Sequence, residues 1–303
     1  MEQLTTRGGS RCAVCEQASA EPRIELGDFT LFHCPGCGSW SSDARFRDAS
    51  VSFEPAAYFS NPDADRARWE DLLARRERAG LSTGSVLDVG CGNGAFLGFV
   101  RERLPTATRA GIELDPGRVA QARGGDPDAA IEEGDALDCV LRLEGSFDLI
   151  TLWDVFEHVE APGRLLEALA RRLAPGGWIY LQTIHEQSFV PLVGRTLHRL
   201  SGGRLTQAVR RTHEAHHLAF FTRQALDALT RRAGLVRRDL WWGRLARDRM
   251  DGPAWLTAAT ATFLWLENQL GNGLFVNLVL EAGSPGAPGS SPAPVPGAGR
   301  GSG

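Results

Sequence analysis

The sequence predicts an α/β protein, a mostly parallel sheet with helices on both faces, preceded by a small cysteine-bearing module. Three observations carry that expectation. From residue 85 onward, apolar strand-like runs alternate with helical ones, the pattern that builds a parallel sheet. A glycine-rich turn, "VGCGNGAF", directly follows the first of these runs. Four of the six cysteines fall within the first 37 residues, as Cys12-x2-Cys15 and Cys34-x2-Cys37.

The cysteine pairs come first in the chain. Each Cys-x-x-Cys makes a knuckle offering two thiolates, and two knuckles complete a tetrahedral zinc site. "CPGCG" supplies the Pro and Gly such a turn wants. With Cys12, Cys15, Cys34 and Cys37 all from protein, the site is closed and structural, and residues 1–45 read as a zinc ribbon. Disulfides are the competing reading, but nothing in the chain suggests export. Residues 46–84 read as a connector ending in an amphipathic cap helix, "DADRARWEDLLARRERAG", stopped by Gly80.

The alternating region follows, over 85–282. "SVLDVG" is strand one and "AFLGFVRERL" its helix; "RAGIEL" is strand two, and Pro116 opens the helix "PGRVAQAR". Strand three, around "AIEEGDA", is weak. "FDLITLW" is strand four, "PGRLLEALARRL" the next helix, and "WIYLQT" strand five. Residues 184–217 read as an irregular lid insertion rich in Arg and His. A helix "TRQALDALTRRAGL", a strand "VRRDLWW", an apolar helix "PAWLTAATATFLWLENQL" and a strand "GLFVNLVLEA" complete the domain, one of the last two strands running antiparallel. The Gly/Pro/Ser-rich stretch 283–303 cannot bury anything and is expected to be disordered.

Composition narrows the classes. The chain is 43% hydrophobic and 23% charged, as in an ordinary globular protein. No apolar run approaches the ~18 residues of a membrane span, and "MEQLTTRGGS" lacks a signal-peptide core, so a cytoplasmic location is expected. All 33 basic residues are arginine, which with the many Ala and Gly reads as a GC-rich bacterial genome. Residues 195–249 carry thirteen Arg against Glu214, Asp227, Asp239 and Asp248, a net +9 that leaves −13 elsewhere for the total of −4. Such a field can attract anionic substrates; a solvated helix face is the plainer reading.

The motifs together are more specific than the glycines alone. "VLDVGCGNG", the acid of "GIELDP", "GDA", "FDLITLWDVFEHV" and "LRLAPGGWIYLQT" resemble, in order and spacing across 85–183, a class I S-adenosylmethionine-dependent methyltransferase. "HHLAFFTRQALDALTRRAGL" resembles a segment of its small-molecule branch. The resemblance implies a Rossmann-like seven-stranded sheet with the last strand antiparallel. It implies that Asp88, Gly90, Cys91, Gly92 and Gly94 border the methionine part of the cofactor, and that Glu113 holds the ribose hydroxyls. By the same resemblance Asp135 and Ala136 contact adenine, and Trp153 lies beside the sulfonium. A tight strand–helix turn and a plain turn residue are the structural alternatives for the glycines and for Asp135. Tyr58 is a candidate to close over the cofactor, or a packing residue.

"WDVFEHV" sets an acid, an acid and an imidazole at the end of strand four. Three readings stand: a helix cap, His158 as general base, or Asp154, Glu157 and His158 as ligands of a catalytic divalent ion. The last rests on a similar acidic-x-x-Glu-His run in ubiquinone-pathway and small-RNA methyltransferases, with Asp154 one methylene shorter than their Glu and with His213 or His217 as a further ligand. In "THEAHHLAFF", which gathers His213, Glu214, His216 and His217, His217 is the residue expected to face substrate; a capping or core histidine is the alternative. His158, Glu157 and His217 are therefore the catalytic candidates.

The expected activity is methyl transfer from S-adenosylmethionine to a small molecule, by O-methylation ahead of C- or N-methylation, in a bacterial natural-product or surface-glycan pathway. The acceptor could be anionic or lipid-linked. A nucleic-acid substrate, held by the ribbon and the basic 195–249 segment, is the alternative; the acidic balance of the ribbon's own Arg11 and Arg23 against Glu16, Glu21, Glu25 and Asp28 speaks against it. The apolar faces of "FVPLVGRTLHRL" and "AWLTAATATFLWL" are expected to cover the sheet, with lipid contact or a homodimer as other uses.

Overall fold

The structure, a computed structural model, describes residues 10–16, 19–43, 62–210, 212–213, 216–243 and 254–283. Tyr58, Glu214, residues 46–61 of the connector and the tail beyond Gly283 lie outside the described residues.

Strands β5 (Ser85–Val89), β6 (Thr108–Glu113), β7 (Ala130–Glu133), β8 (Phe147–Trp153), β9 (Leu173–Ile184), β11 (Leu235–Gly243) and β12 (Phe275–Ala282) form one seven-stranded sheet. Its order is β11-β12-β9-β8-β5-β6-β7. Neighbours from β9 to β7 pair in parallel, and β12 runs antiparallel to both β9 and β11. The apolar run of β8, buried on both faces from Leu149 to Leu152, is what a central parallel strand requires. The chain leaves β5 toward β6 and β7, then returns to its other side as β8. This order reversal opens a crevice beyond the strand ends, where open α/β sheets bind ligands.

Helices α1 (Pro62–Arg78), α2 (Ala95–Arg103), α3 (Pro116–Gly125), α4 (Ala136–Arg142) and α5 (Pro162–Ala170) belong to the first half. A 3-10 turn, Phe156–His158, follows β8. In α5, Leu165, Leu166, Ala168 and Leu169 recur at helical spacing and are buried.

The expected lid is not irregular. It contains α6 (Phe189–Leu200) and α7 (Thr206–Arg210). Ser188 caps α6 by accepting from Val190 N, and Pro191 sits in the first turn, where its missing N–H costs no helical bond. Nor does α6 wholly cover the sheet: Pro191 and Gly194 are buried, but Leu192, Val193, Leu197 and Leu200 are exposed. Helices α8 (Arg223–Arg232) and α9 (Ala254–Gln269) complete the chain.

The N-terminal strands β1 (Ser10–Arg11), β2 (Ser19–Glu25), β3 (Thr30–His33) and β4 (Trp40–Ser42) form a second, antiparallel sheet, and its fifth strand, β10 (Ala219–Phe220), comes from the far end of the chain. Ser42 N donates to Leu218 O at 3.0 Å, and Leu218 N donates to Glu157 O at 2.8 Å. Thr222 Oγ1 donates to Cys37 O at 2.7 Å. Phe220 packs with Ile24, Leu26, Phe29 and Leu31 in one apolar cluster.

Candidate active site at the sheet's order reversal

The glycine turn after β5 is shaped by backbone geometry. Gly90, Gly92 and Gly94 all have positive φ, a region costly for other residues. A Cβ on Gly90 would stand 2.4 Å from Val155 Cγ2, so the turn also needs glycine to pass under the segment after β8. Gly90 N and Cys91 N both donate to Ile112 O, at 2.7 and 3.0 Å, tying the turn to β6. Gly94 precedes α2, whose N-terminus points positive dipole at the crevice. Cys91 is buried, and burial pushes its thiol well up, so it stays protonated and apolar.

Glu113 ends β6 with its carboxylate held by three backbone amides: Gly92 N at 2.8 Å, and Leu114 N and Asp115 N at 2.9 Å each. The residue is buried but reaches the glycine turn itself. Asp88, at the end of β5, is buried and accepts from Thr151 Oγ1 at 2.6 Å. Burial, with the Glu113 charge adding to it, pushes its pKa up to about 7. Asp135 accepts from Leu137 N and Asp138 N, capping α4, and Ala136 begins that helix. The capping role is the one the residue visibly performs. Trp153 closes β8 between Phe96 and Tyr180, with ring centroids 5.5 and 4.2 Å away. Its indole Nε1 is buried with no hydrogen-bond partner among the described residues.

Beyond Trp153 lies the rest of "WDVFEHV". Asp154 has φ 53°, a strained conformation for a non-glycine residue, and such strain clusters at functional sites. It accepts from Gln182 Nε2 at 2.7 Å. Gln182 Oε1 in turn faces Arg68 Nη1 at 3.2 Å and Tyr180 Oη at 3.1 Å. Arg68 arrives from α1, paired with Asp65, so the cap helix is bolted onto the end of β9. Glu157 is buried and accepts from Thr183 Oγ1 at 2.9 Å. Burial, reinforced by the Asp154 charge, raises its pKa to about 8, so the carboxyl is largely protonated at neutral pH. A neutral acid bonded to a threonine is a poor metal ligand and a poor base.

His158 Nδ1 lies 2.9 Å from His216 O. A carbonyl only accepts, so Nδ1 carries the proton, and Nε2 is the lone-pair nitrogen of the neutral ring. The His158 centroid is 5.3 Å from that of His216 and 4.8 Å from that of His217. His217 is buried with no partner at Nδ1 among the described residues, and burial, aided by the neighbouring imidazoles, pulls its pKa well below the usual histidine range. Among the described residues, two sets of three or more ligand side chains converge: the four cysteines, and His158 with His216 and His217. The expected set of Asp154, Glu157 and His158 is not one of them, because its carboxylates are turned to Gln182 and Thr183. His213 lies apart, 3.2 Å from Glu186 and against Phe220.

Sequence reading missed Arg68, Gln182 and the convergence of His216 with His158. Gln182 had a signal, a lone polar residue in the apolar run "WIYLQTI". Arg68 had none, standing among many arginines in a helix.

In the ribbon, Cys12 Sγ is 3.8 Å from Cys37 Sγ, and Cys15 Sγ is 3.7 Å from Cys34 Sγ. Val14 N and Cys15 N both donate to Cys12 Sγ at 3.4 Å. A Zn–S bond of about 2.3 Å places the corners of a tetrahedron about 3.8 Å apart, so the four sulfurs fit that ion. They are too far apart for disulfides, and all six cysteines are free.

Five of the thirteen arginines of the basic segment form internal ion pairs among the described residues. Arg195 pairs with Glu186, Arg210 with Asp28, Arg232 with Glu16 and Glu167, Arg237 with Asp227, and Arg238 with Glu281. Two of these sew the C-terminal half to the ribbon, which leaves less charge for a phosphate backbone. No described helix is long and apolar enough to cross a membrane.

The family model described as "Methyltransferase domain" matches residues 63–238. A ubiquinone biosynthesis O-methyltransferase from Pseudomonas paraeruginosa is 33% identical over 149 residues, 46% of this chain and 58% of that protein. A protein of the same name from Paracidovorax citrulli is 32% identical over 126 residues, 41% of this chain and 51% of its own. The chain thus spans little more than half the length of these curated relatives. Among solved structures, the plantazolicin methyltransferase BamL, in complex with a triazolic desmethylPZN analog and SAH, aligns with TM-score 0.53 at 15% identity, covering 78% of this chain and 90% of its own. A SAM-dependent methyltransferase from Archaeoglobus fulgidus aligns with TM-score 0.51 at 15% identity, covering 76% and 99%. These likenesses speak to fold.

Proposed function

This chain belongs to the methyltransferase domain family and is a class I S-adenosylmethionine-dependent methyltransferase, and from that premise we propose that it methylates a hydroxyl oxygen of a small molecule. The observation that carries the reading is the set of polar residues at the ends of adjacent parallel strands. The glycine turn follows β5, the amide-held Glu113 ends β6, and β8 ends in Trp153 and leads into the turn bearing His158, which meets His216 and His217. The names of the Pseudomonas and Paracidovorax relatives support oxygen as the acceptor atom. The ribbon-plus-methyltransferase order supports a bacterial natural-product or surface-glycan pathway and a cytoplasmic setting.

When bound, S-adenosylmethionine supplies an electrophilic methyl on its sulfonium. In this reading Glu113 receives the ribose hydroxyls on a carboxylate already oriented by three amides. Asp88, Gly90, Cys91, Gly92 and Gly94 border the methionine part, Asp135 and Ala136 the adenine. Trp153 borders the sulfonium. The protein's remaining task is to place the hydroxyl in line and take its proton. His158 is suited to that, since its Nδ1–H is fixed on His216 O and the lone pair is on Nε2. Buried, neutral His217 orients the acceptor, and Glu157, protonated and bonded to Thr183, supports the loop rather than the chemistry. The four cysteines hold a structural zinc ion.

S-adenosylmethionine is expected to raise the melting temperature of the wild type, and Gly92→Arg to abolish that shift while remaining folded by circular dichroism. A wild type unshifted at millimolar cofactor overturns the assignment.

A further inference from the structure

Among the described residues, Asp154 and Glu16 are the two that hold positive φ without being glycine, and only Asp154 stands at the candidate site. Its conformation decides what rests on the glycine turn. Trp153 ends β8, Asp154 reverses the chain, and Val155 settles over Gly90, where a Cβ would stand 2.4 Å from Val155 Cγ2. On their other side Gly90 and Cys91 are tied to β6 through Ile112 O. The glycine turn is thus held between β6 and the turn after β8. An aspartate left to itself would return to negative φ, the ordinary region for L residues, and would carry Val155 off Gly90.

Gln182 supplies the restraint. It is the register partner of Trp153 on β9, is buried, and donates from Nε2 to Asp154 Oδ1 at 2.7 Å. The orientation of its amide is fixed from α1. Arg68 can only donate, so the Gln182 atom 3.2 Å from Arg68 Nη1 is the oxygen, which leaves Nε2 for Asp154. Arg68 is itself paired with Asp65. A buried amide engaged at both ends is a rigid strut.

We propose that Gln182 is a positioning residue for methyl transfer: through Asp154 it sets the turn that seats Val155 on the glycine turn, and Arg68 orients it. Asp154 works by its conformation, and its carboxylate is the handle by which that conformation is held. That the turn shapes the cofactor pocket rests on the methyltransferase reading above; the hold of Gln182 on Asp154 does not.

The experiment uses the full chain with S-adenosylhomocysteine as the probe, and compares Gln182→Met, Asp154→Gly and the two together. Binding is measured by calorimetry, and amide hydrogen exchange is followed over residues 90–94 and 153–158. Glycine adopts positive φ without being held, so it replaces the restraint rather than the carboxylate. Gln182→Met should weaken binding at least tenfold and speed exchange in both segments by a similar factor. Asp154→Gly should stay within threefold of the wild type, and the double variant should return to within threefold of Asp154→Gly. The proposal is overturned if Gln182→Met binds like the wild type, even with a lowered melting temperature, since that is a role in stability alone. It is equally overturned if the double variant is no better than Gln182→Met, whether weak or unfolded. A wild type that does not bind the probe, with exchange still lost in Gln182→Met and regained in the double variant, overturns the methyltransferase reading and upholds the hold on Asp154.

Discussion

The residues after β5, β6 and β7 and those after β8 and β9 differ in how completely their polar atoms are satisfied. In the first group, Glu113 is held by three amides, Asp88 by Thr151 and Asp135 by two amides. In the second, Trp153 Nε1, His217 Nδ1 and His185 Nε2 are buried without a hydrogen-bond partner among the described residues. The first group is fixed by its own hydrogen bonds. The second carries buried nitrogens of the kind that call for a bound water, ion or ligand as their explanation.

The comparison is most exposed at Glu157, which sits among the unmet groups and is itself satisfied. Between its unfolded value near 4.3 and its folded value of about 8, the native state keeps a proton that the unfolded chain releases. Stability therefore falls as pH rises through that window, on the order of 1 kcal/mol per unit and several kcal/mol in all. Asp88, raised to about 7, adds a slope of the same sign, so Glu157→Gln, which can still accept from Thr183, should reduce the slope by about half in denaturant titrations from pH 5 to 8. A variant with the wild-type slope would mean that Glu157 is ionised and open to the acceptor.

A smaller effect is expected from Glu113→Gln. The amide cannot accept on both arms, so cofactor affinity should fall about 10–100-fold, matching the ~1.5–3 kcal/mol of a charged hydrogen bond. Calorimetry with S-adenosylhomocysteine measures it; less than a threefold loss would remove the ribose from Glu113. Asp135→Ala should cost least, about 1 kcal/mol of stability for the lost cap. If affinity also falls, Asp135 does both jobs; if not, it is a cap and the adenine contact is struck out.

What the sequence made legible follows the same line. The strand–helix alternation, the glycine turn and the cysteine knuckles are local, with every partner within a few residues or one βαβ step. The antiparallel last strand came through the family resemblance. The turn after β8 instead meets Gln182, Thr183, His216 and His217, with Arg68 on Gln182, and that meeting depends on tertiary packing. Local reading therefore grouped Asp154, Glu157 and His158 because they are adjacent in the chain. It could not see that Thr183 and Gln182 would claim the two carboxylates. Helix α6 lies inside the stretch expected to be irregular, with Pro191 in its first turn and Gly194 buried.

The hydrogen bonds from Ser42 to Leu218 and from Leu218 to Glu157 bear on how this protein can be cut. Starting expression at α1 would be the obvious way to obtain the catalytic half alone. Such a fragment would lose the strand that pairs with Ala219–Phe220 and uncover Phe220, now fully buried against the ribbon. It would carry a bare strand edge with an aromatic on it, the kind of surface that recruits a second chain. The histidines two and three residues upstream of β10 would then be held from one side only. For a biochemist dissecting this molecule, the N-terminal module is a clasp on the segment that carries His216 and His217, and the methyltransferase domain should be studied with it attached.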